Sequence, residues 1–149
     1  MKVLADNKNA YYNYEILEKY EAGLVLAGHE VKAIKTGHIG LKGSYVVLKD
    51  EEAFLIGAHI PPYQPKNTPK DYDPERSRKL LLKKSEIKEL IGKSKEKGLT
   101  LIPLNVYVKY AKIKLAFGIG RGKKKLDKRE KIKKRELQRE MERELKTRG

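Results

Sequence analysis

The chain has 149 residues, among them 35 Lys or Arg and 20 Asp or Glu, which leaves a formal net charge of +15. Its length predicts one domain with a modest core, and the absence of cysteine excludes disulfides, thiolate metal sites and cysteine nucleophiles. A pI near 9.8 favours an anionic partner, which is nucleic acid, an acidic protein or an anionic membrane surface.

The first part of the chain is predicted to contain three strands and one short helix. Apolar, aromatic and β-branched runs between turn residues mark the strands, which are residues 14–26, 45–48 and 53–60. They follow a polar, aromatic loop or single helical turn at residues 7–13. Gly23 interrupts the first strand, so we expect a bend or a bulge there. Residues 28–35 are predicted to be helical because Val31 and Ile34 lie three apart between glycines.

Two helices are predicted after a long loop. Residues 61–74 are rich in proline and show no hydrophobic periodicity, which indicates an extended loop. Asp73 followed by Pro74 has the pattern of an N-cap with proline at N1, and this predicts a helix that starts at Pro74 and runs through residues 76–84. A second helix is expected to begin near Ser85 and to end by Gly98.

Two further strands, residues 99–108 and 112–117, complete the predicted domain. Pro103 in the first of them indicates an edge strand or a bulge. In the second, Ile113, Leu115 and Phe117 alternate with lysines and are expected to face the core. Three glycines follow at every second position and are interpreted as a flexible joint: Gly118, Gly120 and Gly122.

The predicted fold is mainly β, with short helices inserted between antiparallel strands. Closing five or six strands into a small barrel would remove exposed edges and fill the core with few residues. An OB-like barrel fits, because that architecture binds nucleic acid across one face and its loops. We therefore predict an OB-like barrel over residues 1–119 and a separate basic tail over residues 120–149.

The tail holds fourteen Lys or Arg and six Asp or Glu, so it carries +8 of the total charge. Its apolar residues are few, although Leu137, Met141 and Leu145 lie four apart as on one face of a helix. One interpretation is a solvated, frayed basic helix that maintains solubility. The other is a segment that is disordered alone and becomes helical on a polyanion, because neutralising phosphates releases counterions.

Neither a membrane span nor an export signal is predicted. No apolar run approaches the ~18–20 residues of a spanning helix, and the N-terminal residues lack the apolar region of a signal peptide. We therefore expect a cytoplasmic protein without a membrane partner.

No pattern of residues indicates catalysis. The three histidines, His29, His38 and His59, are scattered without metal-ligand spacing. The alternating glycines form only a fragment of a phosphate-binding loop. We expect no catalytic residue, metal site or cofactor.

Basic residues interleaved with aromatic residues indicate RNA binding instead. Lys8 lies close to Tyr11, Tyr12 and Tyr14, and tyrosine can stack on unpaired bases while lysine holds phosphates. Charge alone adds four predicted phosphate contacts: Lys8, Arg76, Arg78 and Lys79. Other tyrosines are expected in the core or at its rim: Tyr20, Tyr45 and Tyr107.

Ordered sequence blocks over about residues 7–143 resemble the SmpB family, the bacterial proteins that bind tmRNA in trans-translation. The blocks are Asn7-Lys8-x-Ala10, Tyr14-x-Ile16-x-Glu18, Glu21-Ala22-Gly23-Leu24, Gly28-x-Glu30-Val31-Lys32, Ser44-Tyr45-Val46, His59-Ile60-x-Pro62-Tyr63, Asp73-Pro74-x-Arg76-x-Arg78-Lys79-Leu80-Leu81-Leu82, Leu99-Thr100-Leu101-Ile102-Pro103-Leu104, Gly122-Lys123-Lys124 and Asp127-Lys128-Arg129-Glu130.

The resemblance implies an adaptor that binds the tRNA-like domain of tmRNA. Together they would enter the empty A site of a ribosome stalled on an mRNA without a usable stop codon. The implied partners are that RNA domain, the small-subunit rRNA at the decoding centre and mRNA path, and elongation factor Tu carrying alanylated tmRNA. The tail would lie in the vacant mRNA path as a helix.

Four residues match family positions linked to tmRNA binding: Asn7, Tyr14, Glu21 and Leu81. Asn7 and Glu21 can hydrogen-bond bases or sugars, and Tyr14 can stack. Glu21 could instead pair with a neighbouring lysine, and Leu81 could shape the surface from beneath.

Six residues match the family's tail segment at the decoding centre: Gly122, Lys123, Lys124, Asp127, Lys128 and Arg129. The family usually has an aromatic residue or histidine before the last block, whereas this chain has Leu126, which leaves apolar contact in place of stacking. A structural protein of the ribosome is the rival interpretation, because small barrels with basic tails are common there.

Overall fold

Seven antiparallel strands form one sheet in the computed structural model, which describes residues 2–123. The strands are β1 (Lys2–Asp6), β2 (Tyr14–Leu24), β3 (Tyr45–Lys49), β4 (Glu52–Ile56), β5 (Arg78–Leu81), β6 (Leu99–Lys109) and β7 (Lys112–Gly122). The helices are α1 (Ala10–Asn13), α2 (Gly28–Lys35) and α3 (Lys84–Ser94), with a 3-10 turn at Pro65–Asn67. No helix within this described part is long and apolar enough to cross a membrane.

The hydrogen-bonded strand order is β1-β6-β7-β2-β5-β4-β3. The mainly β fold class with short inserted helices is therefore confirmed. Over residues 2–123 the ladder stays open between β3 and β6, where a slot of about 300 Å³ separates residues such as Val46 and Leu101. The barrel is thus curled but not closed by backbone hydrogen bonds.

The main core lies on the inner face of this curled sheet. Ile113, Leu115, Phe117 and Ile119 alternate along β7 and are all buried there, as the alternation at residues 112–117 predicts. Helix α2 adds Ala33 and Ile34 and helix α3 adds Leu90, so each helix contributes its apolar stripe to the same core.

The helix predicted over residues 76–84 is wrong, because residues 78–81 form strand β5. Arg78 and Leu80 are buried while Lys79 and Leu81 are exposed, which is the period of two expected for a strand. Asp73 accepts a hydrogen bond from the Glu75 backbone N–H at 2.9 Å, but this local turn does not propagate into a helix. Pairing with β2 and β4 decides the conformation instead.

The flexible joint predicted at the alternating glycines is also wrong. Gly118, Gly120 and Gly122 all lie in β7 and pair with β2. A Cβ atom on Gly118 would lie 2.7 Å from Ile16 Cγ2, and one on Gly120 would lie 2.5 Å from Ile102 Cδ1. Glycine is required at both positions because neighbouring side chains cross the strand in close contact.

Two bulges redirect side chains in the central strands. The register of β2 shifts between Ile16 and Glu18, so the bulge lies at Leu17 and not at Gly23 as predicted. The register of β6 shifts between Pro103 and Asn105, which confirms a bulge beside Pro103. Strand β6 pairs with β1 only over residues 105–108, so Pro103 lies on a stretch whose only described strand partner is β7, which agrees with the predicted edge position.

Candidate nucleic-acid interface

One polar and basic face of the sheet lies opposite the main core. Strand alternation and the two bulges place residues from β2, β6 and β7 side by side on it. We call this surface the outer face; its residues are Tyr14, Ile16, Lys19, Glu21, Asn105, Tyr107, Lys109, Lys112, Lys114 and Ala116. Tyr14 and Glu21, which the sequence places seven positions apart, lie at its two ends.

Glu21 lies in a hydrogen-bonded cluster at one end of the outer face. Its carboxylate accepts a short hydrogen bond from the Tyr107 hydroxyl and lies 3.5 Å from Lys109 Nζ. The Tyr107 hydrogen bond, followed by the charges of Lys109 and Lys114, lowers the pKa of Glu21, against the raising effect of burial. Burial and the Glu21 carboxylate together raise the pKa of Tyr107, which keeps its hydroxyl a donor. The predicted lysine pairing of Glu21 is present.

Leu81 lies beside this cluster with 56% of its surface exposed. Its backbone pairs with Gly23, and its Cβ is 3.4 Å from the position of a Cβ on that glycine. The side chain therefore stands on the surface and does not shape it from beneath. Lys79 is exposed on the same side of β5, where it forms an ion pair of 3.2 Å with Glu52.

The other end of the outer face is formed around helix α1. Asn7 donates from Nδ2 to the Pro103 carbonyl at 2.8 Å, which fixes its side chain against the β6 bulge. Asn7 and Tyr14 line one recess of about 290 Å³ together with Lys42 and Tyr45. Amide, aromatic and ammonium groups thus meet in a space large enough for a nucleobase.

Basic residues surround this recess. Lys8 is exposed, and Lys19 Nζ lies 5.3 Å from the ring centroid of Tyr11. Lys123 donates from its backbone to Asn13 at 2.9 Å and from Nζ to the Tyr11 carbonyl at 2.8 Å. The last described residue is therefore fixed against α1 at this end of the outer face.

Arg78 does not lie on any surface. It is fully buried, and its guanidinium donates to Glu30 at 2.7 and 3.0 Å and to the Ala58 carbonyl at 2.7 Å. The phosphate contact predicted from its charge is withdrawn, because no part of the group is open to RNA. Arg76 also donates to Glu30, although about a third of its side chain is exposed.

Glu30 is the centre of this buried network. Burial raises its pKa, but hydrogen bonds from Arg76, the Ala27 backbone and Arg78 outweigh this effect and lower the pKa to about 2. Tyr72 adds a hydrogen bond to the carboxylate at 3.1 Å. The network joins α2 to the proline-rich loop, so Arg76 and Arg78 have a structural role in the fold.

Sequence reasoning missed the groups that connect the predicted residues. Tyr107 was expected in the core or at its rim, and it is buried, yet its hydroxyl reaches Glu21 across the intervening strand β7. Lys114 was predicted only to face outward, and Lys109 was not singled out. The alternation of Lys114 along β7 was the available signal, but the pairing register with β2 and β6 was not visible in the sequence.

The remaining predicted residues lie outside the structure described. These are the tail positions Lys124, Asp127, Lys128 and Arg129, and the apolar stripe from Leu137 to Leu145. Across residues 2–123, no three His, Asp or Glu side chains come together as a metal site.

Comparison with known proteins gives matches over nearly the whole chain. The family model described as SmpB protein matches residues 4–147. The SsrA-binding protein of Cupriavidus necator is 52% identical over 143 residues, which are 96% of this chain and 95% of that protein. The SsrA-binding protein of Thermosynechococcus vestitus is 48% identical over 148 residues, covering 99% and 97% of the two chains.

A solved structure is also similar. A chain from the work described as "tmRNA-SmpB: a journey to the center of the bacterial ribosome" aligns with a TM-score of 0.67 and 43% sequence identity. The alignment covers 81% of this chain and 85% of that one.

Proposed function

Because this chain belongs to the SmpB family, we propose that it is an RNA-binding adaptor for the tRNA-like domain of tmRNA. It delivers tmRNA to the empty A site of stalled ribosomes, where trans-translation rescues the ribosome and tags the peptide. Its role is binding rather than catalysis, and it acts in the cytoplasm with the ribosome.

The observation that carries this proposal is the family match over residues 4–147. About half of the positions are identical to a relative named as an SsrA-binding protein, and the match includes both the barrel and the tail. The outer face supports the proposal independently, because basic, aromatic and hydrogen-bonding groups converge on it as RNA contacts require.

We propose that the RNA lies along the outer face, between the α1 recess and the Glu21 cluster. Asn7 and Tyr14 would receive a base or sugar at one end, with Lys8 on the adjacent phosphates. Glu21 and Leu81 would form the contact at the other end, where Lys109 offsets the carboxylate charge; Lys79 adds a phosphate contact beside them. Arg76 could contact an RNA phosphate only through the exposed third of its side chain, because the rest is held against Glu30.

The basic tail is proposed to bind the small ribosomal subunit. Its boundary is moved to residue 124, because Gly122 ends strand β7 and Lys123 is held by Asn13. Gly122 and Lys123 would then position the segment, and Lys124, Asp127, Lys128 and Arg129 would contact the decoding centre. The following residues would become helical along the vacant mRNA path, and elongation factor Tu would bind the alanylated tmRNA.

A binding titration tests the RNA partner. The protein is titrated against the tRNA-like domain of tmRNA at fixed, near-physiological salt, with ordinary tRNA as competitor, since a strongly basic protein binds any RNA at low salt. We expect tight binding that ordinary tRNA displaces poorly. Equal affinity for the two RNAs would mean that the protein binds RNA in general and does not select tmRNA.

A truncation tests the role of the tail. Deleting residues 124–149 leaves every described strand intact, so we expect affinity for the tRNA-like domain to remain close to that of the full chain. Tagging on stalled ribosomes should be lost. Tagging by the truncated protein would refute the tail assignment.

A separate experiment tests the rival interpretation, a structural protein of the ribosome. Stoichiometric retention of the full chain on salt-washed ribosomes from cells lacking tmRNA would favour that interpretation.

A further inference from the structure

Tyr110 is the most exposed of the large apolar and aromatic residues described, with 89% of its surface open, against 56% for Leu81. It occupies the tip of the β6–β7 hairpin, beyond the last paired residues Lys109 and Lys112. Burial of apolar surface stabilises a tyrosine only when the ring leaves water, so packing within the described domain does not account for it.

The backbone does not account for a tyrosine at this position either. Tyr110 has φ 51° and Ala111 has φ 62°, so both residues of the two-residue turn are left-handed. Such hairpin turns favour Asn-Gly or Asp-Gly, whereas a bulky L-residue is disfavoured there by contact of its Cβ with the backbone. A bulky residue held in this strained conformation with its ring in water suggests a functional contact.

The surroundings of the ring are basic. Lys109 Nζ lies 5.9 Å from the Tyr110 ring centroid and 3.5 Å from the Glu21 carboxylate. Lys112 and Lys114 follow on the outer face, where they border a mainly apolar depression of about 370 Å³ that Ala111 and Leu81 also line. The exposed ring therefore stands at the end of the same surface that carries two of the predicted tmRNA-binding residues.

We propose that Tyr110 stacks on an unpaired nucleobase of the bound RNA, with Lys109 and Lys112 holding the phosphates on either side. An aromatic ring stacks on any base, and flanking ammonium groups neutralise the backbone that presents it. This inference deepens the proposed function and rests on it, because it names a base-stacking contact at the edge of the interface.

The hairpin formed by β3 and β4 provides the control. Its turn has the same backbone, with φ 52° at Asp50 and φ 62° at Glu51, and Lys49 occupies the position that corresponds to Lys109. The acidic turn residues would repel RNA phosphates. Lys49→Ala therefore matches the charge change of Lys109→Ala beside a turn of the same geometry, without altering the proposed contact.

The test measures affinity for the tRNA-like domain of tmRNA at several salt concentrations. Tyr110→Ala should weaken binding by roughly 5- to 100-fold, while Tyr110→Phe retains the ring and binds as the unchanged protein does. Stacking adds no ion release, so Tyr110→Ala should leave the salt slope unchanged. Lys109→Ala should reduce that slope by about one, whereas Lys49→Ala should not.

Tyr110→Gly separates binding from folding. Glycine accepts the left-handed turn, so the variant should melt at a higher temperature than the unchanged protein and still bind the RNA more weakly. Full RNA affinity of both Tyr110→Ala and Tyr110→Gly would overturn the inference, as would a loss confined to ribosome binding, which would indicate a protein or rRNA contact. Failure of the unchanged protein to prefer the tRNA-like domain would instead refute the proposed function.

Discussion

At the scale of single residues, the buried carboxylate of Glu30 accepts hydrogen bonds from two arginines. Its neighbours Arg76 and Arg78 have the charge expected of phosphate contacts, yet both donate to its buried carboxylate. An unpaired charge in this position would cost far more than the pair stabilises, because burial removes the water that would otherwise solvate it. The positions of the two arginines are therefore explained by their hydrogen bonds to one buried carboxylate.

This network predicts a specific sensitivity to acid. The pKa of Glu30 is lowered from 4.5 to about 2, so the folded state holds the deprotonated carboxylate more strongly than the unfolded state does. The resulting stability is fully present above pH 4.5 and is lost as the pH falls towards 2, by about 3 kcal/mol in total. Urea unfolding between pH 7 and pH 2 measures it.

Comparison of two variants isolates the contribution of Glu30. Glu30→Gln should be less stable than the unchanged protein at neutral pH, and this difference should shrink on acidification. Glu75→Gln changes a neighbouring carboxylate that is 65% exposed, so its difference should stay small throughout. A difference for Glu30→Gln that is independent of pH would contradict the assignment.

At the scale of elements, the position of β7 depends on Gly118 and Gly120, because side chains from the neighbouring strands pack directly over these two glycines. The Ile16 and Ile102 side chains occupy the space where a Cβ on Gly118 or Gly120 would lie. This packing forms the second, smaller core with Ala10 and Leu104, which holds α1 on the outer face. The glycines thus permit the recess that contains Asn7.

Alanine substitution at these glycines should therefore destabilise the domain. Gly118→Ala places its Cβ 2.9 Å from the Glu18 carbonyl oxygen, which is backbone and cannot rotate away. We expect a loss of about 1–3 kcal/mol in the free energy of unfolding. Gly122→Ala is the control, because nothing lies within 4 Å of its added Cβ.

A double variant tests the same packing at Gly120. The contact of 2.5 Å is with Ile102 Cδ1, the atom that Ile102→Val removes. Gly120→Ala with Ile102→Val should therefore lose less stability in chemical denaturation than the sum of the single losses. Additive losses would mean that the clash does not determine the requirement for glycine.

Over the whole molecule, the preference among RNAs is expected to come from the outer face and not from the charge of residues 124–149. Residues 124–149 contain twelve Lys or Arg and six Asp or Glu, so their removal lowers the net charge from +15 to +9. The charges of this segment favour any polyanion, whereas the outer face carries arranged contacts.

Truncation at residue 123 should therefore change affinity and preference differently. Affinity for ordinary tRNA should fall, and the logarithm of its binding constant should depend less steeply on the logarithm of salt concentration. The ratio of affinities for the tRNA-like domain and ordinary tRNA should rise. Titrations at two or more salt concentrations measure both quantities, and a reduced ratio would place part of the preference in the tail.

Several features of this protein follow from the sequence by itself. Helix α2 and the inward face of β7 are readable because their hydrophobic periods of 3.6 and 2 are local. The basic charge, the absence of cysteine and the ordered family blocks are likewise properties of the chain alone. These features are sufficient to identify the fold class and the family.

Only the tertiary structure decided which predicted residues act together. Arg78 lies 48 positions from Glu30, and Tyr107 lies 86 positions from Glu21, so their pairing depends on strand order and register. A run such as Leu80 to Leu82 is compatible with helix or strand until its neighbours are known. Burial and long-range pairing are properties of the folded chain, and they separate the surface available to RNA from the charges that hold the barrel together.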